Sequence, residues 1–440
     1  MPHRLTRRRF LQATAAAGFW LGAARADDKK PGANDRLHIG VVGTYNRAAE
    51  NWKELANAGG CEIVALCDVD ENLAGGARMK FPKAAFFTDY RKMIDAKGLD
   101  AVLVATPDHH HAFATLAALR AGLHVYCEKP LTHSIEEARL VAETAAKMKR
   151  VTQMGTQIHA GTNYRRVVEL IEKGAIGKVK EVHCWCGRSW GGVERPKDKE
   201  AVPAGLNWDL WLGPAPERPY YGGAGLEKKF GVYHPYNWRS WWDFGGGTMT
   251  DMACHHVDLP YWALKLRHPT KVTAEGPPPH TESAATHLTV TYEFPARGEL
   301  PPVALKWYDG GDRPKYFAEG KLPKWGDGTL FVGEKGMLLA DYTKRVLLPE
   351  KDFEGFKAPR PYLPDSVGHH KEWIEACKTG GPTTCNFDYS GALAETAILG
   401  AVAYRTGKPL VWDAKNLKAD VAEADKYIRK EYRKGWALEG

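Results

Sequence analysis

From Leu37 to Met154 short apolar runs alternate with longer amphipathic ones, and this alternation constrains the fold more than any other feature of the chain. Leu37–Val42, Glu62–Cys67, Ala101–Ala105, Leu123–Cys127 and Val151–Met154 read as strands. Between them, Arg47–Ala58, Glu71–Lys80, His111–Ala121 and Ser134–Lys149 read as helices. Strands that short, separated by helices, predict βαβ units and a parallel sheet. Ser134, with Glu136 and Glu137 in the turn that follows, is a helix start whose acids suit the positive end of the dipole. In such a sheet the carboxyl ends of the strands face the crevice in which a dinucleotide lies. Two strands end there in reactive segments: Ala105-Thr106-Pro107-Asp108-His109-His110-His111 and Tyr126-Cys127-Glu128-Lys129-Pro130. A lysine fixed at that edge can act on a substrate hydroxyl.

After Gly155 the pattern changes. Tyr164–Lys173 is helical, Gly174–Gly177 ends it, and Lys178–Cys186 starts a longer strand. His287–Phe294, Pro302–Trp307, Thr329–Val332 and Gly336–Ala340 read as further strands, with helices at Gly368–Lys378 and Tyr389–Thr406. The expected fold class is α/β: a doubly wound parallel sheet over 36–155, then an α+β domain over 156–410. The second domain carries an open, mostly antiparallel sheet with helices on one face, and 411–440 form a C-terminal extension with a helix.

Residues 1–26 are expected to be an address rather than part of the fold. Thr6-Arg7-Arg8-Arg9-Phe10-Leu11-Gln12 has the twin-arginine pattern, Ala13–Ala24 is weakly apolar, and Ala24-Arg25-Ala26 fits a cleavage site. The expected location is periplasmic or otherwise extracytoplasmic. The apolar run is far short of the roughly 20 residues that span a bilayer, so no stable membrane span is expected. This segment holds five arginines and no acid, so only +3 of the formal +8 charge belongs to residues 27–440. A nearly balanced chain gives no case for nucleic acid as a partner. Cys61, Cys67 and Cys127 sit in or beside inner strands, and Cys184 and Cys186 lie two apart on one strand, a poor geometry for a bridge. They read as buried thiols. The chain has no Cys-x-x-Cys or His-Glu-x-x-His spacing, and no metal is expected.

The nucleotide turn is Gly43-Thr44-Tyr45-Asn46-Arg47-Ala48, after the first strand and opening a helix, as a phosphate-cradling loop must be. Its glycine pattern is eroded: Tyr45 stands at the second glycine position, where a side chain could crowd a pyrophosphate, and Ala48 at the third. Asp68 ends the second strand, where a carboxylate accepts ribose hydroxyls and repels a 2′-phosphate, favouring NAD over NADP. Arg47 is the counter-indication, since a nearby arginine could bind that phosphate.

Farther on, Gly245-Gly246-Gly247-Thr248-Met249-Thr250-Asp251-Met252-Ala253-Cys254-His255-His256-Val257-Asp258 joins a glycine-rich turn to a helix. Asp251 and His255, four apart, share one helix face, so the carboxylate can orient the imidazole and raise its basicity. His255 is the expected general base and Lys129 the group that stabilises negative charge on the same oxygen. A helix cap beside a buried histidine is the plainer alternative for an isolated Asp-x-x-x-His. Residues 188–242 are dense in Trp, Tyr, Arg and Asn, amphipathic groups suited to a sugar. Trp238 and Arg239 are the expected substrate contacts, with Gln157, Tyr164 and His256 beside them; Trp208 and Trp211 look structural. His109 and His110 are expected to be exposed, and His369 and His370 to start a surface helix.

Taken together, Ala105-Thr106-Pro107-Asp108-x-x-His111, Glu128-Lys129-Pro130, Gly174-Ala175-Ile176-Gly177-Lys178-Val179 and the 245–258 segment resemble the glucose–fructose oxidoreductase/inositol dehydrogenase/MocA family (Gfo/Idh/MocA), from about Leu37 to Thr406. The chain is similar in particular to an exported, Trp-rich branch of planctomycete type. Asp108 stands where Asn is usual. The resemblance implies a Rossmann first domain and catalytic Lys129, Asp251 and His255. It also implies a cofactor site drawn from Gly43, Thr44, Tyr45, Asn46, Arg47, Asp68, Thr106, Pro107, His111, Glu128 and Lys129. The implied activity is NAD-dependent oxidation of a sugar, glycoside or cyclic polyol, in a homo-oligomer. Relatives that cleave glycosides through a 3-keto intermediate offer a redox-neutral alternative. A carbohydrate-binding protein on a decayed scaffold is the non-enzymatic one.

Overall fold

The computed structural model describes residues 36–438. The expected export signal, 1–26, lies outside the described residues. Strands β1 (Leu37–Val42), β2 (Cys61–Cys67), β3 (Ala85–Phe87), β4 (Ala101–Val104), β5 (His124–Cys127) and β6 (Thr152–Met154) form one parallel sheet in the order β3-β2-β1-β4-β5-β6. That is the doubly wound order, and its reversal between β1 and β4 sets the crevice above the ends of those two strands. The central strand β4 is buried at every residue, which is why its run is continuously apolar instead of alternating. The helix Ile135–Met148 starts as expected: Ser134 Oγ accepts from the Glu137 N–H, and the Glu137 carboxylate accepts from the Ser134 N–H at 3.0 Å.

The second sheet has nine strands, in the order β13-β12-β11-β7-β10-β9-β8-β14-β15. They are β7 (Val179–Trp185), β8 (Lys271–Glu275), β9 (Thr289–Phe294), β10 (Val303–Tyr308), β11 (Gly328–Gly333), β12 (Gly336–Ala340), β13 (Arg345–Leu348), β14 (Leu410–Asp413) and β15 (Lys418–Ala419). Only β7 and β10 pair in parallel. The helices Gly247–His256 and Phe387–Thr406 pack together behind this sheet. On its other face Trp185, Tyr308, Leu330 and Leu339 are covered by Tyr316, Phe317 and Trp325 of the chain itself. The sheet is open, as expected, since its strand order runs from β13 to β15 without closing.

Several expectations are corrected. The helix expected from Glu71 begins at Gly75, because Asp70 Oδ1 accepts the Asn72 N–H and the Glu71 N–H is taken by Gly205 O, which hold 70–74 as a turn. The helix expected from His111 begins at Asp108. His109 and His110 are buried rather than exposed, since residues 208–212 lie over them and Trp211 O meets both Nε2 atoms, at 3.0 and 2.8 Å. His369 and His370 are buried too. Their helix, His369–Thr379, packs on the first sheet, with Trp373 and Ile374 in one core with Leu37, Ile39 and Trp52. Burying those two side chains contributes on the order of 1.5–3 kcal/mol each, and the imidazoles buried with them keep partners: His369 Nε2 meets Met154 O at 2.8 Å and His370 Nε2 meets Asn51 Oδ1 at 3.0 Å.

Candidate active site

The nucleotide turn closes against β4. Gly43 has a positive φ of 84°, and a Cβ there would lie 2.6 Å from Ala105 O, so this position requires glycine. No side chain caps the following helix, Arg47–Ala58. Tyr45 is 41% exposed and is one of the residues that line the crevice. Asp68 accepts the Thr44 N–H (2.9 Å), the Thr44 hydroxyl (2.7 Å) and the Asp70 N–H (3.0 Å), and it lines the crevice. Burial pushes its carboxyl up, against the lowering pull of those hydrogen bonds. Arg47 also lines the crevice, where it is paired with Glu50 and with Glu128 Oε1; among the described residues no ion pair joins it to Asp68.

Glu128 is a buried junction. Its Oε1 accepts from Arg47 Nε (3.3 Å), Asn51 Nδ2 (2.7 Å) and Gln157 Nε2 (2.7 Å). His111 lies between Pro130 O (2.6 Å) and Thr106 O (2.9 Å), fixing the end of β4 to the end of β5. It supports the crevice from beneath and does not line it.

The crevice continues into a cavity of about 550 Å³ between the two sheets. Thr106, Asp108, Glu128 and Lys129 come from the first domain; Gln157, Trp238, Arg239, Asp251 and His255 come from the second. Lys129 Nζ sits 2.9 Å from Asp251 Oδ1 and 3.2 Å from its backbone oxygen, and Arg239 Nε sits 3.1 Å from the same Oδ1. Burial alone would raise the Asp251 carboxyl, but Lys129 and Arg239 hold it well below the usual carboxylate range. The carboxylate expected to orient the His255 imidazole is held by two cations instead, and it raises the basicity of that ring through its charge. His255 Nδ1 is buried without a partner, and burial, then the charge of Lys129, push that ring well below the usual histidine value. His255 is a neutral base at neutral pH.

The substrate-side residues divide. Gln157, Trp238 and Arg239 line the cavity. The Arg239 guanidinium stacks 4.2 Å from the Trp238 ring and 4.5 Å from that of Tyr236. Tyr164 and His256 do not line it, which corrects both. The Tyr164 hydroxyl donates to His255 O at 3.0 Å, and the buried His256 meets the Tyr342 hydroxyl at 3.2 Å.

Asp108 is the site residue whose state the sequence did not reveal. It is 1% exposed, lines the cavity, and its Oδ1 has no partner. Burial, then the charge of Asp251, push its carboxyl well above the ordinary range, which favours the protonated form that can donate as well as accept. Tyr342, in the turn between β12 and β13, also lines the cavity, and no local pattern announces it. Among the described residues, His159–Asp258–Cys385 and Cys186–His256–Asp327 each bring three donor atoms within 4.8 Å. In the first, Asp258 already accepts from His159 Nδ1 (2.9 Å) and from the Tyr389 hydroxyl (2.6 Å).

Residues 37–156 match the model of an oxidoreductase family with an NAD-binding Rossmann fold, and 161–320 match that family's C-terminal alpha/beta domain. The chain is 31% identical over 166 residues to an inositol 2-dehydrogenase of Salmonella typhimurium, covering 37% of this chain and 48% of that protein. It is 26% identical over 203 residues to a glycosyl hydrolase family 109 protein of Shewanella pealeana, covering 40% and 44%. The matched segments thus span about half the length of these curated relatives. Among solved structures, the WlbA dehydrogenase of Bordetella pertussis, in complex with NADH and UDP-GlcNAcA, superposes with a TM-score of 0.60 at 18% identity, over 86% of this chain and 99% of that one. At that identity the likeness is one of fold.

Proposed function

We propose that this chain, which belongs to the Gfo/Idh/MocA oxidoreductase family, oxidises a hydroxyl carbon of a sugar, glycoside or cyclic polyol with a tightly held NAD. The carrying observation is that Lys129, Asp251 and His255 meet in one cavity continuous with the nucleotide crevice. The crevice suits NAD: an uncapped helix start for phosphates, Asp68 for the ribose, and no arginine paired with that carboxylate among the described residues.

When bound, NAD accepts the two electrons and the hydrogen that leave the carbinol carbon. The rest falls to side chains. Lys129, held in place by Asp251, donates to the substrate oxygen and stabilises its developing charge. His255 takes the hydroxyl proton, and the C–O single bond becomes a carbonyl. Asp108 and Gln157 offer hydrogen bonds to neighbouring hydroxyls, and Trp238 offers an apolar face. Export of the folded chain and assembly as a homo-oligomer belong to the same proposal.

Incubating the purified protein with myo-inositol, common aldoses and p-nitrophenyl glycosides tests it. NADH accumulating at 340 nm, or a ketosugar, is expected. A redox-neutral cleavage is the second reading, favoured by the likeness to the family 109 protein. It would release p-nitrophenol with no net NADH, a hydroxyl from water replacing the p-nitrophenoxy group on the sugar. A protein that binds these sugars yet neither forms NADH nor cleaves them would overturn both readings.

The pH profile follows from His255. Its neutral form is the base, and its value lies below that of an ordinary histidine. Rate therefore stays level as pH falls from 8 through ~6.5, and declines only in more acid solution. An acid limb at or above ~6.5 would remove His255 as the base.

A further inference from the structure

The half of the crevice meant for adenosine is roofed by the second domain. Asp68 and Tyr90 lie on its first-domain side, and Trp211, His234 and Pro235 lie opposite. Residues 205–211 are stitched to the chain after β2: Asn207 N–H donates to Val69 O at 2.8 Å, and Glu71 N–H to Gly205 O at 2.9 Å. His234 Nε2 meets Asp70 Oδ2 at 2.9 Å, and Trp211 Nε1 donates to His234 Nδ1 at 2.9 Å.

A second layer comes from the far end of the chain. Arg433 Nε donates to Gly213 O (2.9 Å), its two terminal nitrogens donate to Asp209 Oδ1 (2.6 Å) and Asp209 O (2.8 Å), and its N–H to Pro214 O (3.1 Å). Three residues on, Trp436 packs edge-on against Phe113 and His110, with ring centroids 5.6 and 5.8 Å apart. The Arg91 guanidinium lies 4.9 Å over its indole. Trp436 is part of the crevice wall. Upstream, the Tyr432 hydroxyl donates to Glu137 Oε1 (2.8 Å), and the half-buried Lys430 Nζ meets His133 Nδ1 at 2.5 Å.

We infer that residues 425–438 form a strap that completes the adenosine subsite, with Trp436 as its outer wall and Arg433 as the clamp on the 209–214 roof. The strap sets how slowly NAD leaves. The inference rests on the nucleotide crevice being the NAD site. An indole and a stacked guanidinium suit the flat face of an adenine, and a base so covered cannot leave without displacing Trp436 or the roof. Retention then becomes a property of this chain's last turns rather than of its eroded glycine loop.

The test uses the full chain loaded with NADH. Its release is followed by the loss of energy transfer from tryptophan to NADH on mixing with excess NAD. Trp436→Ala and Arg433→Ala are expected to release NADH at least tenfold faster than wild type, and Trp436→Phe to stay within about threefold of it. NAD co-purifying with wild type, assayed by enzymatic cycling after dialysis, is expected to be lost from both alanine variants. Circular dichroism and the melting midpoint of the NAD-free proteins establish that both fold, and Arg433→Ala, a surface clamp, carries the test where Trp436→Ala does not fold. Equal release from wild type and Arg433→Ala overturns the strap while leaving the NAD site intact. Absence of NADH binding in wild type overturns the strap together with the nucleotide reading beneath it.

Discussion

In His255→Ala, turnover of whichever substrate the sugar screen identifies is expected to fall by ~10²–10⁴-fold, the range for removal of a positioned general base. Little structural cost accompanies it, because the ring nitrogen Nδ1 holds no partner in the folded chain. Lys129→Ala is expected to cost ~10²–10³-fold, the loss that follows removal of one donor to a developing oxyanion. The two deletions should not add, since both act on one oxygen. Steady-state rates on purified variants, with NADH binding by fluorescence as the control for an intact cofactor site, check this. Near wild-type turnover in either variant would refute the assignment.

Asp251→Ala is expected to lower stability by about 3–5 kcal/mol, as breaking a buried pair does, because it strands two cations. The pair's side chains are only 11% exposed at Lys129 and 4% at Asp251, and Arg239 is 14% exposed, so solvent does little to replace the lost carboxylate. The folded-state value of Asp251 is depressed, so its contribution is complete above ~3.9 and is lost as pH falls below that, toward the folded value. The gap between wild type and Asp251→Ala should therefore be full at pH 7 and narrow only below about pH 4. Urea midpoints across that range check it, and a variant as stable as wild type at pH 7 would mean that Lys129 and Arg239 find other partners. Asp251→Asn, which keeps the shape and one acceptor, should fall between the two.

What the sequence revealed follows the range of the forces involved. The strands β1, β2, β4 and β5 were legible because burial on both faces writes a continuous apolar run. The three-residue β3 left no period to read. The Glu128-Lys129-Pro130 and Asp251-x-x-x-His255 segments were legible as motifs, yet the partner of Asp251 was not. Helix geometry offers His255 to that carboxylate, whereas Lys129, 122 residues away, and Arg239 reach it with full charges. The buried histidines at 109, 110, 369 and 370 were misread for the same reason: a local polar pattern cannot disclose a covering segment that arrives from elsewhere in the chain. Asp108 stood in a recognised motif, but its protonation depends on burial and on Asp251, neither of which is local.

All eight cysteines are reduced and buried, and burial raises each thiol, so the reactive thiolate is suppressed throughout the folded molecule. An oxidising medium is therefore harmless after folding and hazardous before it. A denatured sample returned to native buffer in air will trap scrambled crosslinks unless dithiothreitol is present, whereas the native protein can be stored without reductant.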